Sequence, residues 1–144
     1  MPDGLAYRLD LPEHLAGPDG FTKSGLLSGT HNLDNATAAL DAKGATYTLT
    51  PTGTDGFSEL SYSYAKPNSG KIITGSKIVY DPAVFSDQTM LDYLLNAGQE
   101  GWTRYLADPS TTTFDVTHGG VNFRTYINVD QYGNPYVRNV HPIK

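Results

Sequence analysis

The sequence predicts an α+β domain in which helices pack on a largely antiparallel sheet. Three observations carry this. Two stretches have helical apolar spacing, each is followed by three alternating segments, and turns rich in Gly, Pro and Asn separate those segments. The order along the chain is therefore helix, three strands, helix, three strands.

Residues 1–29 carry three Pro and five Gly with no sustained period, which reads as a linker or loosely structured lead-in over residues 1–27. The domain proper is expected over residues 28–144. Asn32–Lys43 sets Leu33, Ala36, Ala39 and Leu40 on one helical stripe, with Thr30 or Asn32 as cap and Gly44 beyond the end. Ala45–Thr50 alternates as a strand, and Pro51–Gly56 turns the chain. Phe57–Lys66 puts Leu60, Tyr62 and Tyr64 on one face, and Pro67-Asn68-Ser69-Gly70 leads as a hairpin loop into Lys71–Tyr80. Ser86 caps a second helix bearing Met90, Leu91, Leu94 and Leu95. Gly98 and Gly101 weaken its continuation, so two short helices are an alternative there. Strands over Thr111–Thr117, Val121–Val129 and Tyr136–His141 complete the order, the last two joined by a hairpin at Gln131–Pro135.

At 144 residues the chain has the length of one compact domain. Charged residues make up 17%, against roughly 25% in an average soluble domain. Ten Tyr, five Phe and one Trp make it too aromatic for a disordered chain. The absence of Cys excludes disulfides, thiolate metal sites and cysteine catalysis. The opening MPDGLAYRLDLPEHLAG has no basic stretch followed by an apolar one, so no signal peptide is expected, and Met1 reads as a start added to a fragment. No apolar run reaches the ~20 residues of a membrane span.

A net charge of −5 counts against nonspecific nucleic-acid binding, yet the charge is uneven. Residues 1–41 hold six acidic and two basic side chains. Residues 118–144 hold Arg124, Arg138 and Lys144 against Asp130, with His118 and His141 besides. An anionic ligand is least repelled at that end.

No phosphate-binding Gly loop, zinc-protease helix or serine-hydrolase elbow is present. Four His, a few cations and scattered carboxylates remain. His31 stands where a Gly turn meets a helix start, a place where free backbone N–H groups favour an anion; its plain alternative is a His capping its own helix. His141 stands at the end of the last strand, before Pro142. Arg124 and Tyr126 share one face of a strand and Thr125 lies on the other. Lys77 sits in a strand that otherwise reads as buried, so it needs a carboxylate partner or a task. His118, before Gly119-Gly120, reads as a loop His, and His14 falls in the lead-in.

Together these types suit metal-free cleavage of RNA through its own 2′-hydroxyl. One imidazole takes the 2′-OH proton, a second acid (His or Tyr) protonates the 5′-oxygen, and a cation offsets charge growing on phosphorus. The candidate catalytic residues are His31, Lys77, His141, Arg124, Tyr126 and Thr125. Asn32, Asn139 and His118 are candidate substrate contacts. No cofactor and no metal ligand are expected.

Four phrases resemble the C-terminal toxin domains of CdiA-type contact-dependent growth inhibition effectors. They are Gly29-Thr30-His31-Asn32, the run Lys77–Pro82 followed by Ser86–Met90, Gly119–Tyr126, and Val140-His141-Pro142, together spanning roughly residues 25–144. The resemblance implies an antibacterial toxin, a ribonuclease acting on tRNA and leaving a 2′,3′-cyclic phosphate. It implies neutralisation by a cognate immunity protein, secretion within a large cell-surface effector and delivery to the target cytoplasm. A host translation factor is a further candidate partner, and no membrane partner is expected. Within that class the closing strand resembles the EndoU branch of the barnase/EndoU/colicin/RelE (BECR) fold group, whose members use two His, a Lys and a late Thr-x-Tyr-Pro stretch. His31 and Lys77 match a His and the Lys, and Asn139-Val140-His141-Pro142 stands in the last position. No second His falls between His31 and Lys77, so His141 supplies the missing group in this alignment.

Two alternatives follow. A PD-(D/E)XK-like α/β nuclease would enlist Glu59, Asp81, Lys77 and Asp34 around Mg²⁺, although no strand carries Glu-x-Lys or Asp-x-Lys. A non-catalytic secreted binding module would account equally for Tyr-, Thr- and Gly-rich strands.

Overall fold

The computed structural model describes Tyr7, Leu15 and residues 20–144. Within residues 20–144, two helices and six strands follow the anticipated order: α1 (Leu33–Ala42), β1 (Thr46–Pro51), β2 (Phe57–Ala65), β3 (Ile72–Tyr80), α2 (Asp87–Ala107), β4 (Thr113–His118), β5 (Val121–Val129) and β6 (Pro135–Pro142). The α+β reading holds. The strands form two antiparallel three-stranded sheets rather than one, ordered β1-β2-β3 and β4-β5-β6. The chain divides accordingly into two compact units, Pro12–Asp87 and Gln88–Lys144 with Met1–Leu11. Among the described residues no helix is long and apolar enough to cross a membrane.

In the first unit, alternation along β2 sends Leu60, Tyr62 and Tyr64 inward, where they meet Ala36 and Leu40 of α1 and Ile73 and Val79 of β3. Burying side chains of this size contributes about 1.5–3 kcal/mol each. Within the lead-in expected over residues 1–27, Gly25 and Leu27 are buried while Thr22, Lys23, Ser24 and Leu26 are exposed. Leu27 belongs to this core and Phe21 packs against it. The Tyr62 hydroxyl accepts from Leu27 N at 2.8 Å, and that of Tyr64 donates to the Gly25 carbonyl at 2.5 Å. Two buried phenols have thereby found the partners they need.

In the second unit, β4, β5 and β6 turn Phe114, Val116, Val121, Phe123, Thr125, Ile127, Val137 and Val140 into the core. α2 runs unbroken through Gly98 and Gly101, so the alternative of two short helices is not taken. The glycines are required by close packing: a Cβ on Gly101 would lie 2.6 Å from Thr125 Cγ2, and one on Gly98 would lie 2.8 Å from the Tyr7 ring. The helix accepts about 1 kcal/mol of lost propensity per Gly to let these neighbours approach. Tyr7 also donates its hydroxyl to the Leu95 carbonyl at 2.8 Å and bridges to Val137; burial pushes its pKa up to about 12.

Candidate active site

Two clusters of candidate residues form, one in each unit. In the first, the turn before α1 holds Thr30 at φ +57°, an uncommon conformation for a β-branched residue. The surrounding bonds determine it. Thr30 is fully buried and donates to the Ser28 carbonyl at 2.9 Å. His31 N donates to the Leu15 carbonyl at 2.6 Å, and the His31 carbonyl accepts from Tyr80 N at 2.7 Å. The next residue, Asn32, caps α1 by accepting from Asn35 N.

This turn brings together residues far apart in sequence. His31 Nδ1 lies 2.7 Å from the Ile78 carbonyl, which can only accept. Nδ1 therefore carries the proton, and the basic lone pair of the neutral ring falls on Nε2. Lys77, the residue before Ile78, donates Nζ to the carbonyls of Leu27 (3.3 Å) and Gly29. Lys77 is thereby tied to backbone oxygens of the His31 turn. Asn32 Nδ2 and the Tyr80 hydroxyl both donate to Asp87 Oδ1, at 2.8 and 2.5 Å. Burial first, and the Asp87 carboxylate next, hold the Tyr80 hydroxyl well above the ordinary phenol pKa.

In the second cluster, register aligns Asp115, Arg124 and His141 across β4, β5 and β6, with Tyr126 opposite Asn139 two residues along. Arg124 grips both carboxylate oxygens of Asp115, at 2.8 Å from Nε and 3.3 Å from a terminal nitrogen. That pair raises the guanidinium pKa and holds Asp115 below the usual carboxylate range. His141 Nδ1 lies 3.0 Å from the Pro142 carbonyl, which fixes the proton there in the neutral ring. Nε2 then accepts from the Tyr126 hydroxyl at 3.1 Å. The Tyr126 and His141 rings lie 5.4 Å apart, tilted by 30°.

The candidates of this unit divide between the two faces of the sheet. Thr125 is fully buried and donates to the Ala97 carbonyl of α2 at 3.2 Å, so its hydroxyl serves packing and not the Arg124 face. His118 turns to the helix side as well, its ring 5.2 Å from that of Tyr93. Asn139 Oδ1 is buried with no hydrogen-bond partner among the described residues. Arg124, one of the candidate catalytic residues, is committed to Asp115. His14 lies outside the described residues.

Sequence reasoning missed Asp115 and Asp87. A two-residue turn at Gly119-Gly120 pairs His118 with Val121 and, three residues out, Asp115 with Arg124, so the first was within reach of hairpin arithmetic. The Asp87 contacts join residues 55 and 7 positions apart and had no local signal. Among the described residues no three His, Asp or Glu side chains group closely enough to hold a metal ion. Of the carboxylates considered for Mg²⁺, Asp81 accepts from Ala83 N at 2.9 Å, forming a local turn.

An α+β fold with imidazoles held by backbone carbonyls, near cations and a tyrosine, is a framework for acid–base chemistry. Comparison with known proteins narrows this. No protein-family model matches the chain. It is 35% identical over 151 aligned positions, covering 98% of its length, to a protein of Yersinia mollaretii named tRNA nuclease CdiA. It is 32% identical over 152 positions, again 98% of the chain, to a protein of the same name from Escherichia coli strain STEC_O31. The chain spans only 5% and 4% of the length of these relatives, so what it resembles is one short segment of each.

Proposed function

We propose that this chain is the C-terminal toxin domain of a CdiA-type surface effector, and that it cleaves tRNA without a metal ion. End-to-end similarity to two proteins named tRNA nuclease supports the substrate class. One geometric observation supports the chemistry: His31 and His141 each give Nδ1 to a backbone carbonyl. Each neutral ring thereby carries its lone pair on Nε2, which on His141 accepts from the Tyr126 hydroxyl.

In the proposed reaction one imidazole removes the 2′-OH proton and the 2′-oxygen attacks phosphorus. The P–O5′ bond breaks, a protonated group supplies the proton to O5′, and a 2′,3′-cyclic phosphate remains. His31 is the candidate proton-transfer residue of the first unit and His141 that of the second. Lys77, tied to the His31 turn, supplies positive charge, and the Tyr126 hydroxyl orients His141 Nε2. An EndoU-like fold within the BECR group fits this residue set, with toxicity blocked by a cognate immunity protein and the toxin delivered into the target cytoplasm. Incubating purified protein with total tRNA, with and without EDTA, and mapping the ends formed tests the proposal. Chelator-resistant cuts ending in cyclic phosphate are expected.

A further inference from the structure

β6 holds one residue more than β5 can pair. Tyr126 lies opposite Asn139 and Ile127 opposite Val137, which leaves Arg138 as the extra residue of a bulge. A bulge bends its strand and redirects the inserted side chain. Here the guanidinium carbon of Arg138 comes 5.1 Å from the centroid of the Tyr126 ring, the ring whose hydroxyl meets His141 Nε2. Arg138, Tyr126 and His141 thus form one contiguous set of planar groups.

The two arginines of this sheet differ in how their charge is used. Arg124 is neutralised through two hydrogen bonds to Asp115. Arg138 has no carboxylate partner among the described residues; its contact is the face of Tyr126. An arginine over an aromatic face keeps its charge, and its guanidinium offers a planar fork of N–H donors suited to a two-oxygen acceptor. Near an imidazole assigned to phosphodiester cleavage, the acceptor that matches is a backbone phosphate.

We propose that Arg138 is a phosphate-binding residue of the RNA site, whereas Arg124 is committed to Asp115. This rests on the ribonuclease reading above. The test uses fluorescently labelled tRNA and the full chain carrying His141→Asn, expected to bind without cutting, with Kd measured across a salt series. Each phosphate contact contributes about 0.7–0.9 to the slope of log Kd against log salt. Arg138→Gln is expected to weaken binding several-fold at low salt and to lower the slope by one such contact. Arg138→Lys keeps the charge and is expected to retain the slope. Removing the neutral pair together, Arg124→Gln with Asp115→Asn, is expected to leave the slope unchanged.

Circular dichroism verifies that each variant is folded, and the Lys variant reports on charge without loss of the side chain. A slope unaffected by Arg138→Gln, or one that falls equally when the Arg124–Asp115 pair is removed, overturns the assignment while leaving the ribonuclease reading intact. If the unmodified chain neither binds nor cuts tRNA, the ribonuclease reading itself fails and takes the assignment with it.

Discussion

Gly101 of α2 sits directly over Thr125 of β5, so close that a methyl group on the glycine would lie 2.6 Å from Thr125 Cγ2. Thr125 is fully buried and hydrogen-bonded to Ala97, so it has no room to withdraw. In an exposed helix Gly→Ala would stabilise by about 1 kcal/mol. Here Gly101→Ala is expected to destabilise by about 1–3 kcal/mol through overpacking. Thr125→Ser removes the obstructing methyl and should recover part of that loss in the double variant. Urea denaturation of the single and double variants measures both effects; additivity would contradict the contact.

The Tyr80 hydroxyl is the second test of packing. It donates to Asp87 Oδ1 at 2.5 Å, and Asn32 Nδ2 donates to the same oxygen. Tyr80→Phe keeps the ring and deletes the hydrogen bond to a charged group, a loss of about 2 kcal/mol. A melting temperature equal to that of the parent would show that the contact carries no stability.

His31→Asn separates fold from chemistry. Asn has an N–H donor at nearly the position of His Nδ1, so the bond to the Ile78 carbonyl can persist while the proton-transferring Nε2 is lost. tRNA cleavage should fall by about 10²–10⁴-fold, with stability close to that of the parent. His141→Asn is expected to behave alike. Retention of full cleavage in either folded variant removes that residue from the mechanism.

Asp115 gives a pH dependence of known sign. Its carboxyl is held below the ordinary range, chiefly by hydrogen bonding to Arg124. Such a group adds stability above its unfolded pKa of about 3.9, and the contribution disappears as pH falls through the lower folded value. The pair is well exposed, so Asp115→Asn should cost less than about 1 kcal/mol at neutral pH. The gap between parent and variant should close on acidification below about pH 4. A gap that persists unchanged into acid would contradict the pairing.

The sequence made the helices and strands legible because their signals are local: alternation in Phe57–Ala65, an Asn cap before Leu33, and a Gly-Gly turn after His118. α2 was read as breakable because helix propensity is local, whereas the reason for Gly98 and Gly101 lies in Tyr7 and Thr125, distant in sequence. The grouping of His31 with Lys77 was anticipated only through resemblance. What joins them is backbone: Lys77 Nζ on the Gly29 carbonyl and His31 Nδ1 on that of Ile78. Arg138 was overlooked because its placement depends on a bulge, and strict alternation assigns cations to faces as though none existed.

The most direct test of the proposed chemistry is the end left on tRNA cut by the purified chain in EDTA. A 2′,3′-cyclic phosphate, lost together with cleavage in His31→Asn and His141→Asn, is the expected result. Cleavage that stops when divalent ions are chelated, or fragments ending directly in a 3′-hydroxyl, would contradict it.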